Sequence, residues 1–78
     1  MNGLRMFIRP NKGPDENNVF YSQRSRGPLY RWHYQHHLAK WHVARIDTSD
    51  WSSHELCSAP WQSVPEELKN QLIEHYVE

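Results

Sequence analysis

Cysteine is nearly absent from this sequence: Cys57 stands alone, so no intramolecular disulfide can form. Small secreted domains usually carry several disulfides, because their cores are too small to stabilise the fold unaided. Long hydrophobic runs are also missing, and no stretch approaches the roughly 20 apolar residues that a membrane-spanning helix needs. The first ten residues, interrupted by Arg5 and Arg9, lack the apolar segment of a secretory signal. These absences predict a cytoplasmic protein without a membrane segment.

Motifs for common catalytic chemistry are missing as well. The sequence contains no Walker loop, dinucleotide fingerprint, paired-carboxylate motif or nucleophile elbow. Cys57 with His54, or a serine among Ser49, Ser52 and Ser53 with a histidine, is a conceivable nucleophile pair, but polar loops often contain these residue types. A chain of 78 residues has room for one core and little volume for a substrate cavity. We therefore expect no catalytic residues, no enzymatic activity and no cofactor.

Histidines form the only group with the chemistry of a metal site. His33, His36 and His37 lie near one predicted turn, and His54-x-x-Cys57 has a spacing that occurs in zinc sites. That pair stands alone, however, and nothing in the sequence fixes it close to the other histidines. Exposed turn histidines without a ligand explain the pattern equally well. The sequence therefore predicts no metal site.

Aromatic residues are abundant, with four Trp, four Tyr and two Phe, although the mean hydropathy is only −0.96. Disordered chains are poor in such residues, which bury large areas. We therefore expect residues 1–78 to form a single folded domain around an aromatic core.

Period-two alternation predicts the strands. Residues 4–9 place Leu4, Met6 and Ile8 on one side of a first strand, and residues 19–21 form a second. Residues 10–18 and 22–28 are predicted loops, because they are rich in Pro, Gly, Asn and Ser.

Residues 29–46 give the clearest pattern, a hairpin with an aromatic face and a cationic face. Its predicted aromatic face carries Tyr30, Trp32, Tyr34, Trp41 and Val43, and its predicted cationic face carries Arg31, His33, Lys40 and His42. A turn at residues 35–38 pairs Trp32 with Trp41, Tyr34 with Ala39, Tyr30 with Val43 and Arg31 with His42. A shift of two residues keeps the same faces, so the faces are fixed more firmly than the pairing.

The C-terminal segment predicts an amphipathic helix. Ser63 to Glu66 fits a capping box with proline in the first turn, and Leu68, Leu72 and Tyr76 follow on one face. Residues 47–60 form a polar connection, anchored by Trp51 and Leu56, in which residues 55–58 could form a last strand. The predicted fold is α+β: a small antiparallel sheet of three to four strands, with the helix packed on one face.

Charge is divided unevenly along the chain. Residues 1–46 carry a net charge of +6 and residues 47–78 a net charge of −6, although the total is zero. Such asymmetry indicates either an anionic partner or two halves that neutralise each other.

Two binding surfaces follow from these patterns. The outward sheet face would combine cations with Phe7, as nucleic-acid-binding sheets do, although outward residues of a one-sided sheet are usually polar in any case. Trp51, Trp61, Arg24 and Arg26 lie outside the predicted elements and are residue types that dominate protein interfaces. The candidate binding residues are Arg5, Arg9, Arg24, Arg26, Arg31, His33, Lys40, His42, Trp51 and Trp61.

The leading hypothesis is a non-enzymatic protein-binding or regulatory module. An exposed sheet edge or the opposed charges would also allow a homodimer. The alternative is a nucleic-acid-binding domain that uses the basic sheet face.

Overall fold

The computed structural model describes residues 3–9, 19–46 and 56–77. The strands are β1 (Leu4–Ile8), β2 (Val19–Arg24), β3 (Leu29–Gln35), β4 (Lys40–Ile46) and β5 (Cys57–Ser58). A 3-10 helix (Trp61–Ser63) precedes the α-helix α1 (Glu66–Tyr76). The predicted loop at residues 10–18 and the predicted anchor Trp51 lie outside the described residues.

All five strands form one antiparallel sheet in the order β4-β3-β2-β1-β5. The α+β class and the C-terminal helix are confirmed, but the sheet has five strands rather than three to four. The additional pairing comes from β5, which lies beside β1 rather than extending the meander beyond β4.

The end of β2 corrects the predicted loop. Ser22, Gln23 and Arg24 belong to β2 and pair with β1, so the prediction that a loop begins at residue 22 is wrong. Ser22 is fully buried, and its hydroxyl accepts a hydrogen bond of 2.8 Å from Trp32 Nε1. A polar residue thus continues the strand because the core supplies its hydrogen-bond partner.

The faces of the β3–β4 hairpin are confirmed, whereas the pairing is shifted by two residues. Tyr34 lies opposite Trp41, Trp32 opposite Val43 and Arg31 opposite Ala44. The turn occupies residues 36–39 rather than 35–38, and Ala39 closes it with a φ of 51°. Arg45 lies opposite Tyr30 on the aromatic side, so one cation departs from the predicted division of the faces.

The main core lies between the sheet and α1. Leu68 and Leu72 are fully buried, as the helical periodicity predicts, and they pack in one cluster with Met6, Trp32 and Trp41. Ring contacts strengthen this cluster, since Phe20 meets Trp41 edge-on with centroids 6.0 Å apart.

The start of α1 differs in detail from the predicted capping box. Pro65 occupies the N-cap position, and no side chain caps the helix. The Ser63 hydroxyl donates instead to the Pro60 carbonyl at 2.8 Å, within the 3-10 helix. The capping box is therefore wrong, although Glu66 and Glu67 do lie in the first turn, where the helix dipole favours anions. Within the described residues no helix has the length and apolarity needed to cross a membrane.

A second cluster lies on the sheet face that points away from α1. Val19, Tyr21 and Leu29 are buried there, with Tyr21 only 2% exposed. Phe7, Ile46 and Leu56 pack against them, which agrees with the predicted role of Leu56 as an anchor. The sheet thus has apolar packing on both faces, and the face predicted to point to solvent is covered at its centre.

Candidate functional site

The outer edge of β4 is closed in part by a side chain from α1. The Gln71 amide accepts a hydrogen bond from the Trp41 N–H at 3.1 Å and donates one to the Trp41 carbonyl at 3.0 Å. Since backbone groups alternate in direction along an antiparallel strand, the backbone N–H and C=O groups of Val43 and Arg45 also face the outer edge. Arg45 is exposed, and a charged residue on an edge opposes the addition of another strand.

The opposite edge of the sheet is closed for a shorter distance. β5 pairs with Phe7 and Ile8, and the Ala59 N–H then donates to the Met6 carbonyl at 2.8 Å. The chain leaves the sheet at Pro60, which has no N–H to offer. Leu4 faces the same side as Met6 in the backbone alternation, but it lies beyond the end of β5. No described residue therefore pairs with the outer backbone groups of Leu4.

A groove of about 350 Å³ occupies this open end of the sheet edge. Met6 and Ala59 are buried in it, Leu4 and Phe7 are half-buried, and Arg5 and Ser58 are exposed. An added Cβ on Gly3, which precedes Leu4, would meet no atom within 4 Å. We call this the β1-edge groove, defined by Leu4, Arg5, Met6, Phe7, Ser58 and Ala59.

The predicted basic face is exposed only at its ends. Arg5 at one end and Lys40 and His42 at the other are exposed, whereas Arg31 and His33 between them are half-buried. Arg9 and Phe7 are half-buried as well, and Phe7 packs in the second cluster rather than standing free for base stacking. The structure therefore does not gather the predicted cations into one open surface.

Arg24 makes its contacts within the fold. It is the last residue of β2, and its guanidinium donates to the Tyr76 carbonyl at 2.8 Å near the end of α1. The same guanidinium lies 4.7 Å from the centroid of the Tyr76 ring. A cation at the C-terminus of a helix satisfies a free carbonyl and complements the helix dipole. This candidate binding residue thus holds α1 against the sheet.

Arg26 lies in the tight turn between β2 and β3. The Gly27 N–H donates to the Arg24 carbonyl at 2.8 Å, and Arg26 has a φ of 61°. A positive φ at the third position of such a turn normally selects glycine. Arg26 is exposed, so its side chain remains accessible to a partner.

Of the two tryptophans predicted to bind a partner, Trp51 lies outside the described residues. Trp61 is 36% exposed in the 3-10 helix, and Lys69 Nζ lies 5.6 Å from its ring centroid. Ile73, one turn after Lys69, is 44% exposed. Trp61 is therefore available for contact, beside α1 rather than on the sheet face predicted to carry Arg5 and Lys40.

A buried hydrogen-bond chain links α1 to the middle of the sheet. Trp32 Nε1 donates to the Ser22 hydroxyl, and that hydroxyl lies 2.8 Å from the Tyr76 hydroxyl. Burial raises the pKa of Tyr76, and the Ser22 hydrogen bond opposes this rise in part. These hydrogen bonds form a structural link, since Ser22 is fully buried.

Histidines are spread along the described residues. His33 and His42 lie directly opposite each other on β3 and β4, and His36 packs edge-on against Tyr34 with centroids 5.0 Å apart. Within the described residues no group of three or more His, Cys, Asp or Glu side chains is placed to hold a metal ion. His54 lies outside the described residues, and Cys57 is exposed in β5.

Comparison of this chain with known protein families, curated proteins and solved structures found no match. The β1-edge groove is therefore interpreted from its own geometry.

Proposed function

We propose that this chain is a non-enzymatic protein-binding module that takes up a short extended segment of a partner along the outer edge of β1. The observation that carries the proposal is the β1-edge groove, where about 350 Å³ of open space adjoins the outer backbone groups of Leu4, with which no residue of the described ranges pairs. Strand addition of this kind draws affinity from main-chain hydrogen bonds and specificity from pockets for alternate side chains.

The supporting geometry is the early departure of β5. Its pairing with β1 ends at Met6 and Ala59, so a partner segment placed opposite Leu4 would continue the same ladder. Because Ala59 already binds Met6, the open stretch runs from Gly3 to Arg5 and spans about 10 Å at ~3.3 Å per residue. A partner would therefore contribute about three residues, which is the scale of a short linear segment.

The first test uses blocked hexapeptides that alternate valine with a polar residue, titrated into the ¹⁵N-labelled chain. We expect saturable shifts of the Leu4, Met6 and Ser58 amides. N-methylation of alternate peptide amides should abolish binding in one of the two possible frames only, because alternate amides face the edge. Equal tolerance of both methylation frames would contradict strand addition.

A matched pair of variants tests the location. Leu4→Lys places a cation on the β1 edge, which opposes strand pairing, and it should weaken peptide binding at least tenfold. Leu38→Lys makes the same change at a side chain that is 56% exposed in the far turn, and it should leave binding unchanged. Equal effects of the two variants would place the peptide elsewhere.

Nucleic-acid binding is a second candidate, favoured by one specific observation. Residues 3–9 and 19–46, which form β1 to β4, contain no Asp or Glu. A phosphate backbone on this surface would give an affinity that falls steeply with salt, because neutralised phosphates release counterions. Fluorescence titration with a mixed-sequence single strand at low and physiological salt tests it, and Arg31→Ala with Lys40→Ala should flatten the salt dependence.

A further inference from the structure

We infer that the partner at the β1-edge groove is a second copy of this chain, and that the two β1 strands pair antiparallel with Leu4 opposite Leu4. This inference rests on the proposed function, since it names the partner whose segment is added at that edge. Three features of the edge carry it: the direction of the Leu4 backbone groups, the position of Ala59 and the conformation of Gly3.

The outward backbone groups of Leu4 are complementary to themselves. On either side of Leu4, the Gly3 carbonyl faces inward and accepts from the Ser25 N–H at 3.0 Å, while the Met6 carbonyl faces outward and accepts from the Ala59 N–H at 2.8 Å. The N–H and the carbonyl of Leu4 therefore both face outward, as one donor and one acceptor. In a hydrogen-bonded antiparallel pair the two residues exchange both bonds, so two Leu4 residues related by a twofold axis would satisfy each other.

The two ends of the open stretch select this register. Pairing Leu4 with Met6 of the second copy would place Leu4 where Ala59 already binds Met6. A shift in the other direction would pair Leu4 with position 2 of the second copy, and it would need extended backbone through Gly3, whose φ is 81°. Pairing Leu4 with Leu4 needs only residues 3–5 of each copy and leaves the bond between Ala59 and Met6 intact.

The side chains of residues 3–5 suit this pairing. Arg5 would lie opposite Gly3 of the second copy at a non-hydrogen-bonded position, where the Cα atoms approach to about 4.5 Å. Gly3 brings no side chain to this close approach, and the groove beside Arg5 and Ala59 has a volume of about 350 Å³. The two half-buried Leu4 side chains would lie on the same face as the buried Met6 and would cover each other.

The small size of the contact sets its strength. Stable interfaces of standard size contain about 20–30 residues from each partner, whereas this pairing uses residues 3–5 of each copy. We therefore expect a reversible dimer with a dissociation constant of about 1 mM rather than a permanent one.

The first experiment follows the ¹⁵N-labelled chain from about 0.05 mM to about 2 mM, a range that spans the expected dissociation constant. The Leu4 amide should shift with concentration, and sedimentation should show a matching rise in mass. In a mixture of ¹³C-labelled and unlabelled chains, isotope-filtered spectra should show a contact between the Hα protons of Arg5 and Gly3, which face each other in this register. A dimer without that contact would overturn the inference.

A cross-linking experiment traps the weak dimer. In a Cys57→Ser background, Leu4→Cys would place two thiols on Cα atoms about 5.5 Å apart, within the range that disulfides span. Oxidised glutathione should therefore link Leu4→Cys chains at least tenfold faster than Leu38→Cys chains, although Leu38 is 56% exposed in the far turn. Equal rates would show that the chains meet by random collision and would overturn the inference.

Failure of the inference and failure of the proposed function give different results. Leu4→Lys should abolish the dimer and Leu38→Lys should preserve it; a dimer that persists in Leu4→Lys uses another surface, and the inference fails. If the chain stays monomeric at about 2 mM while the alternating hexapeptides still bind at Leu4, only the inference fails. If neither the peptides nor a second copy binds there, the proposed function fails with it.

Discussion

The two edges of the sheet are closed by different means. On the β4 side, Gln71 from α1 binds both backbone groups of Trp41, a contact between residues that lie 30 positions apart in the chain. On the β1 side, closure comes from the two residues of β5, and it ends where Pro60 leaves the sheet. The first edge is closed by a side chain of α1 and the second by a two-residue strand pairing, and both contacts join distant parts of the chain.

This difference indicates which edge is suited to binding. Proteins usually protect edge strands with helices, charges, prolines or very short strands, because a bare edge invites pairing with another chain. At β4 a helix side chain and Arg45 provide that protection, whereas at β1 the protection stops before Leu4. We therefore assign the proposed strand addition to the β1 edge, which lies beside a groove of about 350 Å³.

The largest expected effect comes from loosening α1, on which the closure of β4 depends. Leu72→Ala removes a side chain that is fully buried next to Gln71, and we expect unfolding to become easier by about 2–5 kcal/mol. Ile73→Ala, at a neighbour that is 44% exposed, should change stability by less than about 0.5 kcal/mol. Urea denaturation measures both, and equal losses would show that α1 is not seated as described.

Removing the Gln71 side chain tests the closure itself. Gln71→Ala leaves the Trp41 N–H and carbonyl without their partner, and we expect a loss of about 1–2 kcal/mol, since each hydrogen bond contributes roughly 0.5–1.5 kcal/mol net. The Trp41 amide should also exchange with solvent more rapidly. Gln62→Ala, at an exposed residue of the 3-10 helix, is the matched control. Unchanged exchange at Trp41 would contradict the role of Gln71.

The contrast between the edges was only partly accessible from the sequence. Alternation predicted the faces of β3 and β4 because one residue of shift would bury Arg31 and expose Trp32. It could not fix the pairing, because a shift of two residues preserves both faces and the turn at residues 36–39 lacks the Asn-Gly or Gly signals of common hairpins.

The candidate site was harder to predict for a related reason. β5 has two residues, too few for a periodic pattern, so its position beside β1 and the open edge at Leu4 carried no sequence signal. Among the lining residues, the sequence assigns Arg5 and Phe7 to the basic sheet face and Leu4 and Met6 to the core. Gln71 likewise had no signal, because its role depends on a tertiary contact with Trp41.

The pH dependence of stability tests how α1 is held over the sheet near β3. Burial raises the pKa of Tyr76 in the folded chain above its ordinary value of 10.0. The stabilising contribution of the protonated phenol is therefore complete below about pH 10 and is lost as the pH rises through the folded pKa, because the unfolded chain loses its proton first. Tyr76→Phe should make the free energy of unfolding fall less steeply above pH 10. An identical slope in the two proteins, measured by urea denaturation, would contradict burial of the phenol.

The smallest effect concerns the turn that leads into β4. Ala39 has a φ of 51°, a region that costs an L-residue with a Cβ roughly 1–2 kcal/mol. Ala39→Gly removes that strain but adds backbone entropy to the unfolded chain, which costs about 0.5–1 kcal/mol, so we expect a net gain near 0.5 kcal/mol. Ala44→Gly, an exposed position within β4, should lose about 0.5–1 kcal/mol because it has only the entropic cost.

Because Ala39 lies in the turn between β3 and β4, we expect its replacement to change hydrogen exchange in β4 but not at the β1 edge. Amides of β4 that pair with β3, such as that of His42, should exchange more slowly in Ala39→Gly, whereas the outward Leu4 amide should remain as accessible as before. Peptide binding at the β1-edge groove should therefore be unchanged. Changed hydrogen exchange at both edges would show that their closures are coupled, and it would contradict the distinction between the two edges.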